Sequence, residues 1–214
     1  RFTILDTGST DGTPDLIRQL AVDLALPGTV HCEAPADGSF DYAAARNRAF
    51  ALEAADPDAA SFALVLSGDE VLSGGVQLRV FLEEKRADGY TDVADAYLVR
   101  MLLGESEWDA ARIIPVVGGW LYESVGGVHE YLVRREDNYG NACIEVPREH
   151  APGEVSIRHE ASDPERRFRS IVEHQIPALS AALVEDPDDL RALLFLAQAT
   201  EACFPALEGG ELLS

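Results

Sequence analysis

The chain of 214 residues lacks several features that would assign it to a class of protein at once. No apolar run reaches the roughly 18 residues that a membrane-spanning helix needs, so we expect no transmembrane segment. Lys85 is the single lysine, and the formal net charge is −21. Because binding to a phosphate backbone needs clustered basic side chains, this balance excludes nucleic acid as the main partner.

Cysteine is scarce as well. Cys32, Cys143 and Cys203 are widely spaced and form no Cys-x-x-Cys motif. Each lies among apolar neighbours, so we predict buried, reduced thiols rather than a metal site or a nucleophile. Reduced thiols indicate a cytoplasmic protein. The first residues have the pattern of a strand interior rather than of a signal peptide, and we expect a fragment that lacks material at both ends.

The start of the sequence has the pattern of a strand–helix–strand unit. A β-prone run over 2–5 precedes a turn-rich segment and then a helix, with Thr13 as its N-cap and Pro14 at its first position. Pro27-Gly28 ends this helix, and a second strand is predicted over 29–32. Such a unit is the building block of a parallel sheet.

Further along, the pattern predicts a mixed sheet and then a change to helices. The elements predicted before the change are a helix over 40–55, a strand buried on both faces over 62–66, a helix over 76–86, and β-like segments over 96–103, 111–117 and 126–133. After residue 159, helices are predicted over 163–185, divided at Pro177, and from 186 onward. Two helices joined at an Asp-Pro turn resemble the start of a helical-repeat array.

Polar segments follow three of the predicted strands, where an open α/β sheet binds its ligands. Residues 6–13 combine glycines with Asp, Ser and Thr side chains that can accept from a base or a ribose, although a well-capped turn has the same composition. Asp69 and Glu70 suit a hard divalent cation shared with a diphosphate, the alternative being a solvated acidic turn. His129 and Glu130 offer a base near neutral pH.

These segments occur in one order along the chain. They are Asp-Thr-Gly-Ser-Thr-Asp-Gly-Thr at 6–13, Phe-Asp-Tyr-Ala-Ala-Ala-Arg-Asn-Arg-Ala at 40–49, Gly-Asp-Glu at 68–70 and Val-His-Glu at 128–130. In this combination the sequence resembles the family-2 glycosyltransferases, especially the branch that carries tetratricopeptide repeats after its catalytic domain. The resemblance covers residues 2–160, and the helical tail matches more loosely.

The resemblance implies a fold and a nucleotide site. The fold is GT-A, a Rossmann-like mixed α/β sheet flanked by helices over 1–160, followed by a tetratricopeptide-like helical tail over 161–214. Asp6 and Asp11 match the acidic positions that hold the uracil and the ribose, and Arg46 matches the arginine that lies against the base and diphosphate. Ser9 and Gly68 complete the expected nucleotide-sugar-binding residues.

The resemblance also implies a metal and a base. Asp69 matches the last Asp of the D-x-D element, which ligates Mn²⁺ or Mg²⁺, and His159 falls where such folds supply a further ligand to the metal or diphosphate. Residue by residue, Glu130 matches the general base of inverting members. Ser67 stands where the family has the first Asp, so the metal site has one carboxylate fewer. The family's first strand is missing from this chain.

The function expected on this basis is metal-dependent, inverting transfer of a sugar from a UDP-sugar to a glycan, lipid, peptide or small-molecule acceptor. Two alternatives stay open. A sugar nucleotidyltransferase would show a Gly-rich loop with a basic residue, which is not visible here. A non-catalytic helical-repeat scaffold with a degenerate transferase domain is favoured by Ser67. Trp108, Trp120 and Tyr122 could form a stacking surface for the acceptor, but we expect them to pack in the core.

Overall fold

The computed structural model describes residues 1–34, 40–87, 96–116, 118–136, 142–145, 149–160 and 164–208. Its strands are β1 (Phe2–Asp6), β2 (Gly28–Cys32), β3 (Phe62–Leu64), β4 (Glu70–Ser73), β5 (Tyr97–Leu103), β6 (Ser106–Pro115), β7 (Trp120–Val125), β8 (His129–Glu136), β9 (Ala142–Glu145), β10 (Glu149–His150) and β11 (Ser156–His159). Its helices are α1 (Thr13–Asp23), α2 (Tyr42–Ala54), α3 (Gly75–Ala87), α4 (Pro164–Ser170), α5 (Ile176–Glu185) and α6 (Leu190–Glu208), with a π-helical turn, Ile171–Gln175, between α4 and α5. The chain is a mixed α/β protein, as predicted.

The strands of the described residues form three sheets. β1 and β2 pair in parallel, which confirms the strand–helix–strand unit β1–α1–β2. A six-stranded mixed sheet has the order β3-β6-β5-β11-β4, with β10 added beside β5. β7, β8 and β9 form an antiparallel sheet of their own. The predicted change to mixed pairing is therefore confirmed from β3 onward.

The main apolar core covers one face of the six-stranded sheet. Tyr97, Val99 and Met101 alternate along β5, and each is at most 1% exposed. They pack against Ile113 of β6 and Ile157 of β11, with α3 on the outside. Since side chains alternate along a strand, the residues between them in β5 face the other way. The two faces of this sheet therefore have different environments.

Two helices begin at positions that differ from the prediction. Asp41 caps α2 by accepting a hydrogen bond from the N–H of Ala44 at 2.8 Å, so α2 begins at Tyr42 rather than at residue 40. Gly12, with φ of 84°, takes the N-cap position of α1 that was predicted for Thr13. Thr13 instead donates its N–H and its hydroxyl to Asp11 Oδ1. α1 ends at Asp23, before the predicted stop at Pro27-Gly28.

Three strand predictions need correction. The run 62–66 is not buried on both faces, because β3 spans only Phe62–Leu64, is half-buried and lies at the end of its sheet. The strand predicted over 111–117 begins at Ser106, since β5 and β6 form a hairpin closed at Gly104, with φ of 57°. The strand predicted over 126–133 begins only at His129, because the two glycines before it have positive φ and turn the chain from β7, which was not predicted, into β8.

The tail is helical, as predicted, and its break has a local cause. Pro177 has no N–H to donate, and the π-helical turn lies directly before it; the N–H of Ile176 reaches back to the carbonyl of Ile171. α6 begins at Leu190 rather than at 186, because Asp189 Oδ1 accepts the N–H groups of the next two residues but one. Leu179 and Ala192 of the tail share an apolar cluster with Val125 of β7.

Other expectations have mixed outcomes. Cys203 is buried, but Cys32 is exposed and accepts a contact from Arg18, so the prediction of a buried thiol is wrong there. Tyr122 is buried and Trp120 packs against the same cluster, as expected of core residues. Trp108 is 43% exposed, which is not a core position. Within the described residues, no helix has both the length and the apolar character to span a membrane.

Candidate functional site

The turn between β3 and β4 turns Glu70 inward. The N–H of Glu70 donates to the carbonyl of Ser67 at 3.1 Å, and the N–H of Ser67 donates to Glu70 Oε2 at 2.7 Å. These two bonds close the turn on itself. The Glu70 side chain is only 2% exposed and pairs with Arg112 of β6, whose Nη2 lies 2.6 Å from Oε1. Glu70 is therefore part of the protein's internal structure rather than a free acidic ligand.

Arg112 is a second buried charge at the same place. Burial lowers the pKa of Arg112, and the nearby positive charge of Arg46 lowers it further. Its Nε has no hydrogen-bond partner among the described residues. A buried guanidinium keeps its charge only with a close counter-charge, so the pair with Glu70 is what makes this position tolerable.

Arg46 joins α2 to this cluster. Its Nε lies 2.9 Å from Glu130 Oε1, its Nη2 makes a long contact of 3.4 Å with Ser67 Oγ, and its guanidinium lies 5.3 Å from the centre of the Tyr122 ring. Burial raises the pKa of Tyr122 to about 12. Tyr122 therefore stays neutral and presents an aromatic face to the arginine.

A paired amide contact sets the position of α2. The side chain of Asn47 donates to the carbonyl of Tyr122 and accepts from the N–H of Tyr122, both at 2.8 Å. The amide thus satisfies both backbone groups of one residue in β7, as a neighbouring strand would. Because Asn47 follows Arg46 directly, this contact fixes where the arginine side chain starts.

Asp69 and His159 are brought together by strand pairing. β11 runs antiparallel to β4, with His159 opposite Glu70. The N–H of Glu160 donates to the carbonyl of Asp69 at 2.8 Å, and His159 Nε2 lies 3.2 Å from Asp69 Oδ2. The Asp69 side chain is 45% exposed, in contrast to that of Glu70. His159 Nδ1 is buried without a hydrogen-bond partner in the described part of the chain.

The loop after β1 is organised by its own acidic side chains. Asp6 Oδ1 accepts the N–H groups of Gly8 and Ser9 at 3.0 and 2.9 Å, and hydrogen bonds from Ser9 lower the pKa of Asp6. The hydroxyl of Thr13 likewise lowers the pKa of Asp11. Gly68, by contrast, has open space where a Cβ would stand. Asp6, Ser9 and Asp11 thus shape a loop, and their direct contacts lie within it.

The predicted site residues therefore divide into two groups. Arg46, Glu130, Asp69 and His159 meet around the turn at 67–70. The loop of Asp6, Ser9 and Asp11 is tied to the same helix at another point, because Arg48 pairs with Glu33 just beyond β2 at 2.7 Å.

Sequence reasoning missed Arg112 and Asn47. The signal for Arg112 was a single arginine inside the apolar end of a strand in a very acidic chain. Asn47 had a signal too, since it follows Arg46 in the segment that carries the resemblance.

The helical tail contacts the strand that carries Glu130. The ring of His129 stacks on Phe195 of α6 with centroids 4.3 Å apart, and burial lowers the pKa of His129. Arg191 of α6 lies over the ring of Tyr131, 3.6 Å from its centre. A Cβ at Gly126 would meet the carbonyl of Ala178 at 3.2 Å. The neighbours of Glu130 on both sides are therefore held by the tail.

Comparison with known proteins adds no assignment. The chain matches no model of a known protein family, and a search of curated proteins finds no significant relative.

Proposed function

We propose that the chain is the catalytic part of an inverting glycosyltransferase of the GT-A type, with a UDP-sugar as donor. The observation that carries the proposal is the convergence of Arg46, Glu130, Asp69 and His159 on the turn at 67–70. A cationic group, a pair of metal ligands and a second carboxylate are the parts that sugar transfer from a nucleoside diphosphate needs. The order of motifs that resembles family-2 glycosyltransferases supports the same conclusion.

Arg46 would meet the diphosphate. Its contact with Ser67 is long, so the Nη groups can exchange it for phosphate oxygens at little cost. Open space at Gly68 gives a ligand room to approach the backbone. The loop of Asp6, Ser9 and Asp11 is assigned to the nucleoside. In a chain with a net charge of −21, a local arginine is needed to hold an anion at all.

The residues at Asp69 fit a divalent cation. A carboxylate oxygen and an imidazole nitrogen lie 3.2 Å apart, and both side chains are partly exposed. Mg²⁺ and Mn²⁺ are commonly held by one or two protein ligands, with phosphate oxygens and water completing the shell. Such an ion, when bound, would neutralise charge on the departing nucleoside diphosphate. Glu70 does not belong to this ligand set, because Arg112 occupies it.

Glu130 would act as the general base. Its carboxylate, 18% exposed, would take the proton from the acceptor hydroxyl that attacks the anomeric carbon. The ion pair with Arg46 orients the carboxylate. His129 and Tyr131, on either side of it, are held by α6. The tail would thus keep the base in place during the reaction.

Two substitutions separate these roles. UDP release from UDP-glucose, UDP-galactose and UDP-N-acetylglucosamine would be measured with Mn²⁺ and with Mg²⁺, and donor binding by calorimetry. We expect Asp69→Ala to abolish metal-dependent turnover, and Glu130→Gln to keep donor binding while turnover falls by about 10²–10⁴-fold. Asp15→Asn, which changes an exposed carboxylate on α1, is the matched control. Full turnover by Asp69→Ala would contradict the assignment.

One alternative has a specific observation in its favour. Ser67 stands in place of a carboxylate and Glu70 is paired internally, so the turn offers a single free carboxylate, Asp69. A degenerate domain that serves as a scaffold would also have this character. Calorimetry distinguishes the two: metal-dependent binding of a UDP-sugar supports the transferase, and no binding supports the scaffold.

A further inference from the structure

A cavity of about 510 Å³ opens on the outer face of β5. Leu98 and Arg100 form its floor, while β6 and the segment 150–155 form its walls. By alternation, these two residues face away from Tyr97, Val99 and Met101, which belong to the core. The volume lies within the range of about 300–1,000 Å³ that is usual for small-molecule sites.

The cavity is separate from the site proposed for sugar transfer. His159 shares a strand face with Ile157, which packs in the same core as Met101. The cavity therefore opens on the face of the sheet opposite to His159. Neither Arg46 nor Glu130 lines it. What binds there would not compete with the nucleotide.

The charges that line the cavity are matched in sign. Asp109 Oδ2 lies 3.1 Å from His150 Nε2, and Glu107 Oε2 lies 3.9 Å from Arg100 Nε. All four side chains are about half exposed, so they keep donors and acceptors available to a ligand. Pairing of this kind favours neither an anion nor a cation. It suits a neutral molecule with many hydroxyl groups.

Trp108 adds an apolar wall. Its side chain is 43% exposed and borders the cavity beside Asp109. An indole buries a large area when a ligand packs on it, so leaving one open next to paired polar groups is costly without a partner. A sugar ring has a flat C–H face for the indole and hydroxyls for the polar groups. We infer that this cavity binds a neutral oligosaccharide.

The chain has two tryptophans, which makes the site easy to observe. Trp120→Phe leaves Trp108 as the sole indole. Its fluorescence would be titrated with maltotriose, cellotriose and mannotriose, and with trigalacturonic acid as an anionic probe, in the absence of metal and UDP-sugar. We expect a saturable change with at least one neutral trisaccharide. A response to trigalacturonic acid alone, or to none of the four, overturns the inference.

Substitutions then test the walls. In ligand-observed NMR, Trp108→Ala should weaken binding of the responding trisaccharide at least about tenfold, whereas Trp108→Phe should keep most of it. Asp109→Asn should weaken binding as well. Unchanged affinity in Trp108→Ala would show that the sugar binds elsewhere. Asp69→Ala should bind the trisaccharide normally, so the outcome here does not depend on whether the chain transfers sugar.

Discussion

The β1–α1–β2 unit and the six-stranded sheet are held in different ways. No residue of α1 is buried, and Leu16 and Leu20 on its apolar side are 61% and 47% exposed. In the six-stranded sheet, by contrast, Tyr97 and Met101 are fully buried. What fastens β1 and β2 to the rest is polar: Arg1 with Asp56, Thr3 with Glu53, and Glu33 with Arg48, each reaching α2 or the turn after it. One region is packed, and the other is tethered.

This difference matters for the site, because its two groups of residues lie in the two regions. The loop of Asp6, Ser9 and Asp11 belongs to the tethered unit, whereas Glu70 and Arg112 belong to the packed one. Segments with few buried apolar contacts open at a lower free energy than the core. We therefore expect the loop to adjust to a ligand while the charged cluster stays fixed.

The largest effect is expected in the packed region. Arg112→Ala leaves Glu70 buried without its counter-charge, which should lower the free energy of unfolding by about 3–5 kcal/mol. Urea denaturation followed by circular dichroism measures this. The double substitution Arg112→Met with Glu70→Leu should recover much of the loss, because it removes both charges. A loss in Arg112→Ala as small as that at a surface position would mean that Glu70 is solvated.

An intermediate effect is expected where the tether enters the protein. Glu53, 7% exposed, accepts hydrogen bonds from the Thr3 hydroxyl and from the N–H of Ala60. Glu53→Ala leaves these donors without their acceptor and should cost about 1–3 kcal/mol. Hydrogen exchange should show the amides of β1 losing protection before those of β5. Glu84→Ala, at an exposed position, is the control and should change stability by less than about 0.5 kcal/mol.

The same contact has a pH dependence whose sign is fixed. Burial by itself would raise the pKa of Glu53, but hydrogen bonds from Thr3 and Ala60 and the charge of Arg1 hold it below the ordinary value of 4.5. A lowered pKa gives stability that is present above pH 4.5 and is lost as the pH falls further. The stability difference between the wild type and Glu53→Ala should therefore shrink below that pH. A difference that grows on acidification would contradict the contact.

The smallest effect is expected at the exposed tether. The Arg48 and Glu33 side chains are 50% and 41% exposed, and exposed pairs contribute about 0.2–1 kcal/mol. A double-mutant cycle with Glu33→Gln and Arg48→Gln should give a coupling energy in that range, falling in 1 M salt. A larger, salt-independent coupling would mean that the tether is as rigid as the core, and the contrast between the two regions would not hold.

Local chemistry accounts for the parts of the fold that could be predicted. The β1–α1–β2 unit is visible because glycines and Asp side chains form the turn and Pro14 suits the first turn of a helix. β7 was missed because Gly126 and Gly127 were included in a strand, although both have positive φ. The missed start of α2 was a matter of capping by Asp41, a signal that was present in the sequence.

The site was predictable only as separate pieces. That Asp69 meets His159 depends on β11 pairing with β4, and these strands are far apart in the chain. That Glu70 is occupied by Arg112 depends on packing across the sheet, which no local pattern encodes. Two adjacent carboxylates that look equivalent in sequence thus have opposite environments. Glycosyl transfer itself stays a prediction from the order of the motifs.

The ends of the sheets bear on how copies of the protein behave toward one another in concentrated solution. In the part of the chain that the structure describes, β1 and β3 each have a strand neighbour on one edge only. Unpaired edges recruit strands from other molecules. A net charge of −21 opposes this by keeping the copies apart, but salt shortens the reach of that repulsion to about 10 Å at 0.1 M and about 3 Å at 1 M. Its colloidal stability should therefore be greatest in dilute buffer and decline as salt is added.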